Sequence, residues 1–240
     1  MLPATDNDET KRSNRLLGAL PEPDYERLKG DLGTRDGQQK YVLADAGDRL
    51  NEVYFPVDAV VSVLTRMDDG ASVEIATIGN EGLLGVTVAW GAAAMNPKEY
   101  ATVQVPGTVV SMNADTFRHE IRQQGALASL IERYTQAFFI QVSQQVACNG
   151  LHSVEQRCAR WLLLTQDRVG TDEFPMTHEF LSQMLGVRRA TVTVTAGILQ
   201  KAGFVQFSRG RVAIVDRKGL EDAACECYEV TREVYDRLLP

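Results

Sequence analysis

Two arginines stand side by side in GVRRATVTV, at Arg188 and Arg189. A guanidinium is a planar, permanently charged fork of donors that fits a phosphate, or the O6 and N7 edge of guanine, through two parallel hydrogen bonds. Thr177, Thr191 and Thr193 add hydroxyls that can bond a phosphate or a base, and Ala190 and Val194 add small apolar surfaces suited to a thymine methyl. Arg209 and Arg211 follow in SRGR. The chemistry these residue types share is recognition of anions and base edges. Bond-making chemistry has no comparable signal. Residues 39 to 112 contain no histidine for a cupin-type metal set, and no Gly-rich phosphate loop or nucleophile elbow occurs, so an enzyme is not expected.

The four cysteines, Cys148, Cys158, Cys225 and Cys227, point to a reducing compartment and free thiols. Cys225 and Cys227 lie in ACECY with no second Cys/His pair nearby in sequence to complete a tetrahedral site. Simple burial is expected for them, and neither a metal nor a cofactor is anticipated. His119 and His152, isolated on helical stretches, read as structural.

The elements that must position the arginines are legible from spacing. In THEFLSQMLGVRRATVTVTAGILQKAG, Thr177 can cap a first helix, with Glu179 in its first turn favourable to the helix dipole. Leu181 and Leu185 face inward, Ser182 lets another helix cross closely, and Gly186 ends the helix in a left-handed conformation. The following TVTVT alternates like a strand. Val192, Ala196 and Leu199, however, fall at i, i+4 and i+7, which makes it a second helix beginning near Arg188. The pattern is that of a helix-turn-helix, whose outward residues at the start of the second helix reach the major groove. Arg189 is expected on guanine and Arg188 on a phosphate. FVQF and VAIV, joined by SRGR, read as a hairpin with Arg209 and Arg211 at its tip.

Charge is distributed accordingly. The net charge is -7, yet from Met176 to Lys218 seven bases face two acids, so a +5 module is joined to a remainder of -12. Such asymmetry suits a basic nucleic-acid-binding module on an acidic partner domain.

Residues 1–15 hold no apolar run and no cleavage pattern and are expected to be a mobile tail. No stretch is long and apolar enough to span a membrane, so a soluble, cytoplasmic protein is expected. PEPDYERLKGDL reads as a short helix, and short β-rich runs follow from Gln39 to Met112, spaced by turn residues, as in an antiparallel barrel or sandwich. Asp69-Gly70 is expected to supply positive φ to a tight hairpin turn. A helix capped by Asn113 or Asp115 comes next, then a Gly- and Pro-free run from Ala126 to Asn149. In it Leu127, Ile131, Tyr134, Phe138, Gln141 and Gln145 recur at steps of four and three, the spacing of a dimer seam. A further helix puts Val154, Cys158, Trp161, Leu162 and Thr165 on one face.

The order of these parts, and above all LSQMLGVRRATVTVTAGILQKAGFV, resembles the Crp/Fnr superfamily of bacterial transcription regulators over nearly the whole chain; VYFPVDAVVSVL, IATIGNEGLLG and VVSMNADTFRHEI fit its β-roll more loosely. The resemblance implies an α+β fold: an N-terminal antiparallel β-roll, jelly-roll-like, in a sensor domain over 16–124, a dimerisation helix over 125–149, a winged helix-turn-helix over 150–218 and a helical extension over 219–240. It also implies a homodimer that binds a two-fold symmetric site in double-stranded DNA and contacts RNA polymerase, for which Gln166 to Pro175 is a candidate surface. Members that bind cyclic nucleotides resemble one another in a glutamate after the Gly-rich turn and an arginine further on. Here Val86 follows Gly85, and Tyr100 or Ala101 stands at the arginine position. Gly82 to Pro97 contains no charged residue, whereas a buried phosphate needs a fixed cation or a nest of amides. Gly85, Val86, Tyr100 and Ala101 are therefore expected to form a degenerate pocket without cyclic AMP gating. An iron–sulfur cluster, another ligand of the family, would need N-terminal cysteines that this chain lacks. The competing reading is a dimeric small-molecule sensor or scaffold whose helix-turn-helix serves a role other than DNA binding.

Overall fold

β-Branched runs bounded by turn residues form strands, and the uninterrupted run after Gly125 forms one long helix, in the computed structural model, which describes residues 7–239. Three short helices, α1 (Asp8–Arg12), α2 (Arg15–Gly18) and α3 (Glu22–Leu28), precede strands β1 (Leu32–Gly37), β2 (Val42–Ala44), β3 (Glu52–Pro56), β4 (Val60–Arg66), β5 (Ser72–Ile78), β6 (Glu99–Val105) and β7 (Gly107–Asn113). Helices α4 (Ala114–Arg122), α5 (Ala126–Leu151) and α6 (Val154–Val169) follow. The C-terminal part holds β8 (Glu173–Pro175), α7 (His178–Leu185), α8 (Arg189–Lys201), β9 (Val205–Ser208), β10 (Arg211–Ile214), α9 (Arg217–Ala223) and α10 (Cys227–Leu238).

The first seven strands make two antiparallel sheets, ordered β1-β7-β3 and β2-β6-β4-β5, the expected β-roll. Strand β4 is buried on both faces. Val61 and Val63 point into the roll with Ala76, Ile78, Ala101 and Val109, while Val60 and Leu64 pack outward against α6 and α7. A strand covered on both sides must be apolar throughout, and VVSVL is, apart from Ser62. The β4–β5 turn is longer than the expected tight one. The Gly70 N–H donates to the Met67 carbonyl at 3.0 Å, and of Asp69 and Gly70 only Gly70 takes positive φ.

The chain start is a correction. Within the residues expected as a mobile tail, 7–15 are structured; 1–6 lie outside the described residues. Asn14 is fully buried. Its Nδ2 donates to the carbonyls of Pro56 and Gly82 at 2.8 and 2.9 Å, and its Oδ1 accepts from the amides of Leu16 and Leu17 at the start of α2. Four bonds to one buried amide, followed by Leu16 and Leu17 in the core, anchor the segment to the roll.

The residues of α5 expected to form a dimer seam face the chain's own roll. Leu127, Ile131 and Tyr134 are buried in the chain's own core with Phe55, Phe117 and Tyr235, and Phe138 is half-buried against the same cluster. The Tyr134 hydroxyl donates to the Leu83 carbonyl at 3.1 Å, Gln141 Nε2 donates to the Thr77 carbonyl at 2.9 Å, and Gln145 bonds Arg160. A face already filled by its own roll is closed to a partner. The open face is the opposite one. Gln136, Phe139, Ser143, Val146 and Gly150 are exposed at alternating steps of three and four, with Phe139 71% and Val146 70% accessible.

Candidate nucleic-acid interface

The interface is built on α7, α8 and the three-stranded sheet β8-β10-β9. Helix α7 starts as its cap predicts, with Thr177 Oγ1 accepting the Phe180 N–H at 3.1 Å. It ends at Gly186, which sits at φ 62°, and Leu181, Ser182 and Leu185 are buried. Helix α8 then forms despite five consecutive β-branched residues. Val192, Ala196 and Leu199 are buried as their spacing requires, and Thr195 is buried with them, so packing holds a helix that propensity alone would not. Arg188 occupies the N-cap without any side-chain cap bond, which leaves amides at the start of α8 without an internal acceptor from that side chain.

Each of the nine side chains singled out in the sequence is exposed: Thr177, Arg188, Arg189, Ala190, Thr191, Thr193, Val194, Arg209 and Arg211. Short contacts tie their elements together. His178 Nδ1 lies 3.2 Å from Thr193 Oγ1, its ring meets Phe207 of β9 edge-on at 5.2 Å, and Gly210 lies beside Thr177. Burial, and then the Arg189 charge, lower the His178 pKa and so favour the neutral ring. Arg189 is 3.9 Å from Glu179, an exposed and loose ion pair that costs little to exchange for another anion. The β9–β10 hairpin turns through Arg209 at φ 48° and Gly210 at φ 78°, both left-handed, which places Arg209 alone at the tip. Arg211 lies in the strand instead and pairs with Glu173 of β8.

Backbone pairing with β10 makes Glu173–Pro175 the strand β8, inside the segment expected as a polymerase surface. The surface expected for polymerase shrinks with it. Gln166 and Arg168 are buried in α6 and Glu173–Pro175 pairs with β10, leaving Gly170, Thr171 and Asp172 as exposed loop.

The four residues of the expected pocket do not converge. Gly85, at φ 95°, and Val86 pack beside Val53 in the helix-side core, and Ala101 faces the interior of the roll. Tyr100 lies on the outer face, under the Arg66 guanidinium at 4.8 Å and against the cluster containing α7. Neighbouring strand residues point to opposite faces, so Tyr100 and Ala101 cannot line one cavity.

Spacing along the chain also missed residues. Ile198 is exposed one turn beyond Val194 and extends the apolar stripe on α8, a signal present in the i+4 spacing. His178 was hidden because its partners come from two other elements. The four cysteines are free and buried, as expected. Cys225 and Cys227 meet Cys148 and His152, the second Cys/His pair that local sequence lacks.

The Crp-like helix-turn-helix domain family matches residues 156–223. The chain carries a Crp-like helix-turn-helix domain on the Crp/Fnr fold. Similar solved structures include FixK2 of Bradyrhizobium japonicum, with a TM-score of 0.69 at 14% identity over 81% of this chain and 98% of that one. A structure from Eubacterium rectale assigned to the Crp/Fnr transcriptional regulators gives 0.67 at 17% identity over 88% and 98%. A Crp-family transcriptional regulator of Thermus thermophilus gives 0.65 at 18% identity over 79% and 96%. No curated protein matches the chain by sequence. No helix among the described residues is long and apolar enough to cross a membrane. In the Crp-like domain of this chain, α8 is the helix with the outward polar start and β9–β10 is the wing.

Proposed function

We propose that the protein is a sequence-specific, double-stranded-DNA-binding transcriptional regulator that acts as a homodimer on a two-fold symmetric site and is not gated by cyclic AMP. The observation that carries this reading is the exposed start of α8 and the exposed Arg209 wing tip in one domain, with no tight ion pair to Arg188 or Arg189 among the described residues. Arg189 reads guanine, Arg188 and the uncapped α8 start hold a phosphate, and Arg209 grips the backbone from the wing. Ala190 and Val194 rest on thymine methyls, and Thr191 and Thr193 bond neighbouring phosphates or bases. RNA polymerase contact, for an activating role, falls to the Gly170–Asp172 loop.

The open face of α5 supports the dimer. Phe139 and Val146 lie seven residues apart, as do Gln136, Ser143 and Gly150, which is the knob spacing of a two-helix seam. Phe139→Glu should convert the dimer to a monomer in sedimentation, and a variant that stays dimeric would place the seam elsewhere. For DNA binding the test is selection of genomic fragments by the full chain at rising salt. A regulator retains one symmetric motif while its affinity falls steeply and log-linearly with salt. Unselective recovery of fragments would favour a scaffold role.

A further inference from the structure

Cys148 and His152 close the C-terminal end of α5, one helical turn apart, and Cys225 and Cys227 flank the N-terminal end of α10. The four ligand atoms all lie within 4.8 Å of one another, with the three cysteines buried and His152 half-buried. Cys148 and Cys225 sulfurs are 3.5 Å apart, and Cys227 Sγ is 3.5 Å from His152 Nδ1. A tetrahedral ion with metal–sulfur bonds of about 2.3 Å has ligand–ligand edges of about 3.8 Å, so these separations are those of ligands around one centre. An iron–sulfur cluster would spread its four ligands over two or more irons and so set some of them farther apart than these four atoms lie.

The outer groups are arranged for metal binding too. His152 Nε2 lies 3.2 Å from Glu226 Oε2, so Nε2 carries the proton and the Nδ1 lone pair points at the thiols, as a metal-bound imidazole requires. Gln144 Nε2 donates to Cys227 Sγ at 3.1 Å. Three thiolates and a divalent ion leave one negative charge. The N-terminus of α10, where Cys227 stands at the first helical position, favours that charge. A disulfide between Cys148 and Cys225 would use two of the four groups and leave Cys227, His152 and Glu226 unexplained.

We infer that Cys148, His152, Cys225 and Cys227 form a tetrahedral Zn²⁺ site that ties α10 to the end of α5, at the joint where α6 and the Crp-like domain begin. Three thiolates and one imidazole with no open position make it a structural site. It is independent of the DNA-binding reading.

The test uses the full chain purified under reducing conditions and loaded with zinc. Elemental analysis should give about one zinc per chain, and Co²⁺ in its place should show the visible bands of a tetrahedral, thiolate-rich centre. Cys225→Ser and His152→Ala should each remove these bands. Cys158→Ser, whose sulfur is buried in α6 outside the cluster, should leave them intact. Glu226→Gln should weaken zinc binding about 10- to 100-fold. X-ray absorption of the zinc-loaded wild type needs no variant to fold, and should show three sulfurs at about 2.3 Å and one nitrogen at about 2.0 Å. A protein that holds no zinc after loading, a Cys148–Cys225 disulfide in its place, an oxygen-rich shell, or full zinc retention by Cys225→Ser would overturn the assignment.

Discussion

Arg168 and Arg189 carry the same guanidinium in opposite settings. Arg168, at the end of α6, is buried and donates to Glu81 Oε1 at 2.8 and 3.0 Å, to Thr77 Oγ1 at 2.6 Å and to Gln141 Oε1 at 3.4 Å. Arg189 stands in solvent, and its ion-pair partner among the described residues is Glu179 at 3.9 Å. The first locks the Crp-like domain to the roll and to α5, and every bond it makes is desolvated. The second is unspent, and its hydrogen-bonding capacity remains for a ligand. The difference separates a residue that holds the domains in place from one whose donors stay open to solvent, although both are charged and both lie in the same domain.

Breaking the buried side should cost most. Glu81→Ala leaves Arg168 buried without its carboxylate, and unfolding by urea should show a loss of about 3 to 5 kcal/mol. A loss near zero would mean that the joint is open to water.

The second buried link sharpens the contrast through pH. Glu74 receives the Trp161 Nε1–H at 2.9 Å, and burial pushes its pKa up to about 7. Ser62 has one hydroxyl proton for two oxygens, Glu74 Oε2 at 2.7 Å and Gln104 Oε1 at 2.6 Å, so protonated Glu74 completes the set as a donor. Folding therefore raises this carboxyl above its unfolded value of 4.5. Between pH 4.5 and 7 the folded state binds the extra proton, and stability falls as pH rises through that window, by roughly 3 kcal/mol in all. Glu74→Gln should flatten the profile. Parallel pH profiles for variant and wild type would show that Glu74 does not titrate within the joint.

The exposed side should respond weakly in stability. Beyond the backbone of α8 itself, no atom of the described residues lies within 4 Å of a Cβ added at Gly197, so no neighbouring helix among them requires a glycine there. Gly197→Ala should raise stability by about 1 kcal/mol through helix propensity. If its backbone lies against DNA, the same variant should bind its site less tightly, and unchanged affinity would remove Gly197 from the interface.

The recognition segment was legible because its pattern is local. A cap at Thr177, a left-handed Gly186 and the i, i+4, i+7 positions of α8 all fall within one short stretch. Leu127, Ile131, Tyr134 and Phe138 read as a seam from sequence because period alone cannot say which face of α5 meets the roll. The decisive facts were tertiary, such as Gln141 bonding Thr77. The chain start looked polar, but Asn14 uses its polarity inward. The cysteine cluster was invisible because its two halves are 77 residues apart, on helices whose crossing no local pattern encodes.

The measurement closest to the central claim compares wild type and Arg189→Ala on the selected DNA site and on a scrambled duplex at one salt concentration. The variant should keep its stability and nonspecific affinity while discrimination falls by about 1 to 3 kcal/mol, roughly 5- to 150-fold. A variant that still prefers the same site by the wild-type ratio would contradict that claim.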